Sequence, residues 1–273
     1  MPEITASAVK ALRERTGLPM MDCKRALEEA GGDPEKAIEI LRKSGQKVME
    51  KRAGRETAFG RIGLYSDPDR TALVELFCES APVAKAEDFV KLVGELARQL
   101  ALGPGASTAE ELLDQPSSEP GKKLRDLYEE AINRIREAFR IGRLLRVEGK
   151  CGAYLHHDGS KAAVVQVEGD DLQVAREIAM HVVAMRPTAL RREDLDPALV
   201  EKEREILTEA TRKEGKPENL IPKIVEGRLK DFYSQHCLVD QPFVKDPKKT
   251  VGKVAEEAGL KLVRYWYWEV GKE

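Results

Sequence analysis

Gly60-Arg-Ile-Gly-Leu-Tyr65 is followed by Asp67-Pro-Asp-Arg70 and then by Ala72-Leu-Val-Glu-Leu76; Gly149-Lys-Cys-Gly-Ala-Tyr154 is followed by His157-Asp-Gly-Ser160 and then by Ala163-Val-Val-Gln-Val167. The order is the same twice in one chain: two spaced glycines and a tyrosine, a polar turn, and a run that suits a pleated surface. A turn rich in Asp, Pro and Gly between two such runs signals a hairpin. Each hairpin then leads to a helical segment, which carries Glu95-Leu-Ala97 in the first copy and Glu177-Ile-Ala179 in the second. Two hairpin-plus-helix units imply two sheets, each with a helix on one face, and the α+β class.

The copies differ at one place. Ala72 precedes Ala163 by 91 residues, but Glu95 precedes Glu177 by 82, so the first copy carries nine more residues between strand and helix. They fall in Cys78-Glu-Ser-Ala-Pro-Val-Ala-Lys-Ala-Glu-Asp-Phe89. Upstream, Thr71–Phe77 reads as a strand; downstream, Phe89, Leu92, Val93, Leu96 and Leu100 recur at helical spacing. Pro82 cannot donate to a strand ladder and biases Ala81 toward extended backbone, so the loop is partly preset. A plain connector is one reading. An addition to one copy of a duplicated scaffold is easier to explain by function than by packing.

Before the first copy, Thr5 caps a helix carrying Val9 and Leu12, which Thr16-Gly17-Leu18-Pro19 ends. Met20-Met-Asp-Cys-Lys-Arg-Ala-Leu27 continues to Ala30, Gly31-Gly32 breaks it, and Asp33-Pro34 starts a third helix expected to end at Gly45. So small a bundle is marginal on its own and suits docking better than catalysis. A basic run from Gln46 to Arg55 reads as a linker with a solvated face, helical or not.

Between the copies, Ala101–Pro120 is rich in Gly, Pro and Ser. Leu124, Leu127, Tyr128, Ala131, Ile135 and Phe139 then mark an amphipathic helix, and Ile141–Val147 reads as a further strand. After the second copy, Pro197–Glu214 and Pro217–His236 read as an antiparallel helical hairpin turning at Gly215-Lys-Pro217, with Ile206, Leu207, Leu220, Ile221, Val225 and Leu229 in its apolar stripe. A structural role for that hairpin and self-association into a homodimer are both open. Lys261–Val270 alternates as a strand completing the second sheet. The expected organisation is a three-helix docking module (1–45), a basic linker (46–56), a core unit (57–140), a second core unit (141–192 with 237–273) and an inserted hairpin (193–236).

Of the 273 residues, 41% are hydrophobic and 34% charged, and the formal net charge is −2. Charged helical surfaces are expected, and the near-neutral total argues against direct nucleic-acid binding. The start has no signal-peptide pattern and no run has the length of a membrane helix, so a cytoplasmic protein is expected, without a membrane partner. Cys23, Cys78, Cys151 and Cys237 form no Cys-x-x-Cys pair; reduced thiols are expected and no metal or other cofactor. An enzyme would have to be built from His156, His157, His181, His236 and the cysteines. The first two histidines precede an Asp-Gly turn and are expected at an exposed tip, while His181 sits on an amphipathic helix where packing or interface roles are commoner than catalysis. No phosphate loop, nucleophile elbow or His-Glu-x-x-His is present, so a binding protein is the better reading.

Val9-Lys-Ala-Leu-Arg-Glu-Arg-Thr-Gly17 with Met20-Met-Asp-Cys-Lys-Arg-Ala-Leu27 resembles the signature of the bacterial elongation factor Ts family. Ala179-Met-His-Val-Val183, Gly215-Lys-Pro217, Lys223-Ile-Val-Glu-Gly-Arg-Leu229 and Gln241-Pro-Phe-Val-Lys245 extend the resemblance nearly from end to end. It implies a ubiquitin-associated-like helical module, a two-part core and an inserted hairpin. It also implies a guanine-nucleotide exchange factor, without covalent chemistry, whose partner is elongation factor Tu in GDP-bound and nucleotide-free forms.

In the family the helical module meets the partner's nucleotide-binding domain, which nominates Arg13, Met20 and Met21; burial of the methionines in the small core is the rival reading. His181 matches the family's Met-His position, expected near the partner's phosphate-binding side. In typical members a Thr-Asp-Phe sequence at the strand-to-helix loop displaces magnesium indirectly. Ser80, Ala81, Pro82 and Val83 stand in that loop here, keeping the hydroxyl without the carboxylate or the ring. A binder or chaperone of elongation factor Tu with weak exchange activity is therefore the alternative. Some relatives carry a further C-terminal segment, a contact this chain is expected to lack.

Overall fold

The computed structural model describes residues 4–52 and 54–272, with the side chains of 46–51 outside that description. The Thr5 hydroxyl accepts the Ala8 N–H and caps α1 (Ala6–Thr16), which Gly17 ends in the left-handed region at φ 68°. After Pro19 comes α2 (Met20–Glu29), and the Asp33 carboxylate caps α3 (Pro34–Arg52) by accepting the Glu35 and Lys36 N–H groups. Val9, Leu12, Cys23, Ala26, Leu27, Ala37 and Leu41 close the core of this bundle.

Helix α3 does not stop at Gly45. It runs through that residue to Arg52, so seven of the eleven residues of the expected linker are helix, although the charged side chains of 46–51 lie outside the described residues. Gly45 serves a close approach instead: a β-carbon there would sit 1.9 Å from Nδ2 of Asn133, on a helix described below.

The first core unit is β1 (Phe59–Ser66), β2 (Arg70–Cys78), α4 (Glu87–Leu102), the short α5 (Ala109–Leu113), α6 (Leu124–Ile135) and β3 (Phe139–Glu148). Its antiparallel sheet has the order β1-β2-β3. The second is β4 (Cys151–Leu155), β5 (Lys161–Glu168) and α7 (Leu172–Met185). The helical hairpin α8 (Pro197–Lys213) and α9 (Ile221–His236), a small ladder β6 (Pro242–Phe243) and β7 (Asp246–Thr250), α10 (Val251–Glu257) and β8 (Lys261–Glu269) complete it. The second sheet has the order β4-β5-β8, also antiparallel.

Two sequence expectations are corrected. The amphipathic helix ends at Ile135 because Arg136 turns left-handed at φ 64°, and Phe139 opens a strand rather than closing the helix. That strand pairs with β2, so residues 141–148 go with the first sheet and not with the second core unit.

The repeat is carried by backbone contacts. Tyr65 pairs with Ala72, and Tyr154 with Ala163, in matching hairpins. A β-carbon on Gly63 would lie 2.3 Å from the Val93 carbonyl oxygen, and one on Gly152 2.0 Å from the Ala175 carbonyl carbon. Val93 and Ala175 each stand two residues before the matched Glu95 and Glu177, so both glycines admit the same turn of the same helix.

Alternation explains the layers. On β2, Ala72, Val74, Leu76 and Cys78 face α4 and α6, while Leu73 faces the other sheet. On β5, Ala163, Val165 and Val167 face α7, while Ala162 and Val164 face the first sheet. The two sheets therefore lie back to back between outer helices, with Ile62, Leu73, Val147, Ala153, Ala162, Val164 and Trp268 filling the space between them. Both faces of β2 and β5 are covered, which is why these strands read as nearly continuous apolar runs.

Glu75 lies in this inner layer, 2% exposed. A bulge opposite it, where Val74 pairs with Leu144 but Leu76 with Ile141, turns Arg143 toward its carboxylate. The Arg143 guanidinium donates to both Glu75 oxygens at 2.9 and 3.0 Å and to the Glu269 carbonyl at 2.9 Å, and the Gly271 N–H donates to Glu75 at 3.1 Å. This one carboxylate ties the far end of β8 to the first sheet.

Candidate functional site

The strand-to-helix loop of the first copy, Glu79–Ala86, leaves β2 at its buried end. Pro82 adopts helical backbone (φ −61°, ψ −39°) and starts a turn of 3-10 helix over Val83–Lys85, closed by N–H groups of Lys85 and Ala86 donating to the carbonyls of Pro82 and Val83. Ala81 and Pro82 are exposed, Val83 and Ser80 half-buried, and Ala84 buried. The second copy passes from β5 to α7 through the three residues Gly169–Asp171, so the loop itself is five residues longer in the first copy; the rest of the expected nine is taken up by a longer end of β2 and an earlier start of α4.

Two carboxylates hold the base of the loop from opposite sides. Glu137 accepts the Ser80 N–H at 3.0 Å and its hydroxyl at 2.5 Å. Glu79 accepts the Ala138 N–H at 2.6 Å and an Arg55 N–H at 3.1 Å, and the Ala138 bond and the arginine hold the Glu79 carboxyl below its usual range against some burial. The buried Cys78 thiol donates to the Ser80 carbonyl at 3.3 Å; burial, with the Glu137 charge next, pushes it up to about 11, so it is an inert thiol at neutral pH. The result is a short apolar tip, Ala81-Pro82-Val83, on a pinned base.

Arg13, Met20 and Met21 are all exposed on the three-helix module, the methionines by 48% and 63%. The reading that buried them in the small core is corrected: Cys23, Ala26 and Leu27 fill the inward positions of α2 and leave the methionines at its N-terminal end in solvent. The module rests on α6, where Arg42 donates to Glu130 at 3.5 Å and Arg136 pairs with Asp22, one residue past Met21. A cleft of about 370 Å³ lies beside this contact, lined by Arg15, Ile38, Arg42, Lys122, Glu130 and Arg134 among others.

His181 is not at a surface. It is 0% exposed, with Nε2 2.9 Å from the Gln241 amide oxygen and Nδ1 accepting the Val244 N–H at 3.2 Å. An imidazole accepting at Nδ1 is neutral with its proton on Nε2, which donates to Gln241. Burial holds its pKa below the usual value, and the Gln241 bond opposes that only in part. What it presents outward is the 241–245 segment, whose Val244 is 41% exposed.

The rest of the nominated chemistry disperses. His157 is exposed, whereas His156 is half-buried beside the Tyr154 hydroxyl, and the turn they open packs on β1, with Gly159 accepting the Ile62 N–H at 2.9 Å. Among the described residues the four cysteines are unpaired and buried, and no three His, Cys, Asp or Glu side chains gather in a way that could hold a metal ion. No described helix is long and apolar enough to cross a membrane. The carboxylate clasp at Glu79 and Glu137 had no sequence signal, since 48 acidic residues hide the two that matter.

The family model described as Elongation factor TS matches residues 81–272. Over nearly its full length the chain is similar to proteins named elongation factor Ts. It is 44% identical to that of Micrococcus luteus, with 99% of this chain and 100% of the relative aligned. It is 41% identical to that of Aquifex aeolicus, with 98% of each covered, and 40% to that of Lawsonia intracellularis, with 99% of each covered.

Proposed function

We propose, from the premise that the chain belongs to the elongation factor Ts family, that it promotes release of GDP from elongation factor Tu. The observation that carries this reading is the tip Ala81-Pro82-Val83, which one copy of a duplicated scaffold has and the other lacks. A GTPase holds its nucleotide through a phosphate-cradling loop and a magnesium ion that bridges phosphates to switch residues. An exchange factor need not touch the base. It has only to bind better when those contacts are broken, and nucleotide must then weaken its binding by the same ratio.

A ratio of about 10⁴ corresponds to roughly 5.5 kcal/mol of differential affinity. In this reading Met20, Met21 and Arg13 dock the helical module on the nucleotide-binding domain. Methionine suits that surface because it repacks readily. The Val244 segment, held from behind by His181, makes a second contact, and the pinned tip presses between the two on the elements behind the magnesium site. Two docked ends hold the middle in place, so the tip needs little affinity of its own.

Stopped-flow release of labelled GDP from elongation factor Tu tests the reading. Acceleration that saturates with factor is expected; an unchanged release rate at saturation rejects it. A second reading is favoured by the chemistry of Ala81 and Pro82, which bring neither a carboxylate nor a ring: the chain binds and stabilises elongation factor Tu with slow exchange. That reading predicts a complex on a sizing column with GDP release unaltered.

A further inference from the structure

Arg136, Glu137 and Ala138, the three residues between α6 and β3, each reach a different part of the molecule. Arg136 pairs with Asp22 on α2, beside the exposed Met20 and Met21. Glu137 holds the N–H and hydroxyl of Ser80, and the Ala138 N–H donates to Glu79. The docking module and the tip loop are thus joined through one tripeptide. Arg136 ends its helix at φ 64°, a position where glycine is the usual residue and where a longer side chain is strained. Arg186 takes the same position at the end of α7 and likewise carries an ion pair, with Glu269, whereas at the end of α1 the position is held by Gly17, where a β-carbon would meet the Arg134 side chain at 2.8 Å.

We propose that this tripeptide is a positioning strap, with Glu137 its principal residue, which fixes the tip loop at a set distance and angle from the docking module. The proposal rests on the exchange reading above. A loop free to swing would have to be ordered during nucleotide release, and docking energy would go into ordering it rather than into displacing the partner's elements. With the strap closed, the ordering is already done. Loss of the strap therefore lowers the maximum rate of release and leaves the docking affinity nearly untouched.

GDP release from elongation factor Tu, measured against factor concentration, tests this with Glu137→Ala, Glu137→Gln and Arg136→Gly. In Glu137→Ala the maximum rate should fall about tenfold, as expected for two lost charge-assisted bonds, while the half-saturating concentration moves less than about twofold. Glu137→Gln keeps an acceptor and a donor for Ser80 and should restore most of the rate. Arg136→Gly relaxes the backbone and should lower the maximum rate without lowering the melting temperature. An unchanged maximum rate in Glu137→Ala, or a loss confined to half-saturation, overturns the strap. Hydrogen exchange on the free protein separates this outcome from failure of the exchange reading. In Glu137→Ala the amides of Ser80 and Ala84–Ala86 should exchange about tenfold faster while those of α4 do not change. If wild-type protein does not accelerate GDP release, the exchange reading falls alone; unaltered protection in the loop overturns the strap in either case.

Discussion

Gly152 and the carbonyl of Ala175 stand so close that a β-carbon would approach to 2.0 Å, and Gly63 meets the Val93 carbonyl in the same way in the other half of the molecule. These are backbone neighbours that cannot rotate aside. Gly152→Ala and Gly63→Ala should each destabilise the protein by about 2–3 kcal/mol by forcing helix and sheet apart. Gly45→Ala meets only the end of the Asn133 side chain and gains helix propensity, so it should cost less than about 1 kcal/mol. Urea denaturation of the three variants checks the order.

Glu75 and Arg143 form the ion pair of the inner layer, Glu75 nearly sealed and the Arg143 side chain 30% exposed. Removing either partner leaves the other, but only the arginine retains access to water. Arg143→Ala should therefore be the costlier change, about 3–5 kcal/mol, against about 2–3 kcal/mol for Glu75→Ala. Equal losses in chemical denaturation would show that water reaches the carboxylate.

Met20 and Met21 make little contact with their own module. Changing both to Ala should alter the melting temperature by no more than surface substitutions do, within about 0.5 kcal/mol, while weakening binding to elongation factor Tu by about tenfold or more. Calorimetric titration with the GDP-bound partner supplies the number. Undiminished affinity would remove the module from the docking surface.

Ala81 and Pro82 are exposed and unencumbered, and the helical backbone at Pro82 accommodates other residues. The double substitution Ala81→Asp with Pro82→Phe should increase the rate of GDP release, because it adds a carboxylate and a ring to a tip already in place. A slower rate would mean that the partner's receiving pocket is shaped to proline.

His181 makes stability depend on pH with a definite sign. Its folded pKa is depressed by burial, so the folded state takes up the proton less readily than the unfolded chain does. Its contribution is complete above the usual histidine value near 6.5 and is lost as pH falls from there through the lowered folded value. Thermal melts between about pH 5 and 8 should show a shallower acid-side decline in His181→Gln than in the wild-type protein. An identical slope would place the acid sensitivity elsewhere.

The hairpins were legible because spaced glycines, tyrosine and turn residues recur together, and the helical hairpin because proline and glycine punctuate it. The unequal spacing also singled out the loop at Ser80–Val83. Packing between distant elements was not legible. The run through Gly45 looked like a helix end because a glycine that admits Asn133 and a glycine that stops a helix are the same letter. Phe139 continued a helical period by spacing, and only the left-handed turn at Arg136 converts it to a strand. Ile206 and Leu220 fitted the hairpin's apolar stripe, yet both are exposed, since α8 and α9 bury a narrower seam through Val225 and Leu229. His181 carried a motif position but no sign that its ring faces inward, because its partners Gln241 and Val244 come sixty and more residues later.

Strand β8 pairs with β5 from Lys161–Glu269 to Glu168–Lys261, with the whole helical hairpin intervening. Order of synthesis thus enters the folding problem. A nascent chain can close its first sheet, lay α4 over one side of it and bring β4 and β5 to the other, while the layer around Ile62 and Leu73 is completed only by Trp268. Pairings so far apart in sequence form slowly, and segments emerging from the ribosome begin to fold before later ones exist. During that interval the layer between the two sheets lacks the aromatic side chains of β8, and its edge stays open to water until that strand arrives.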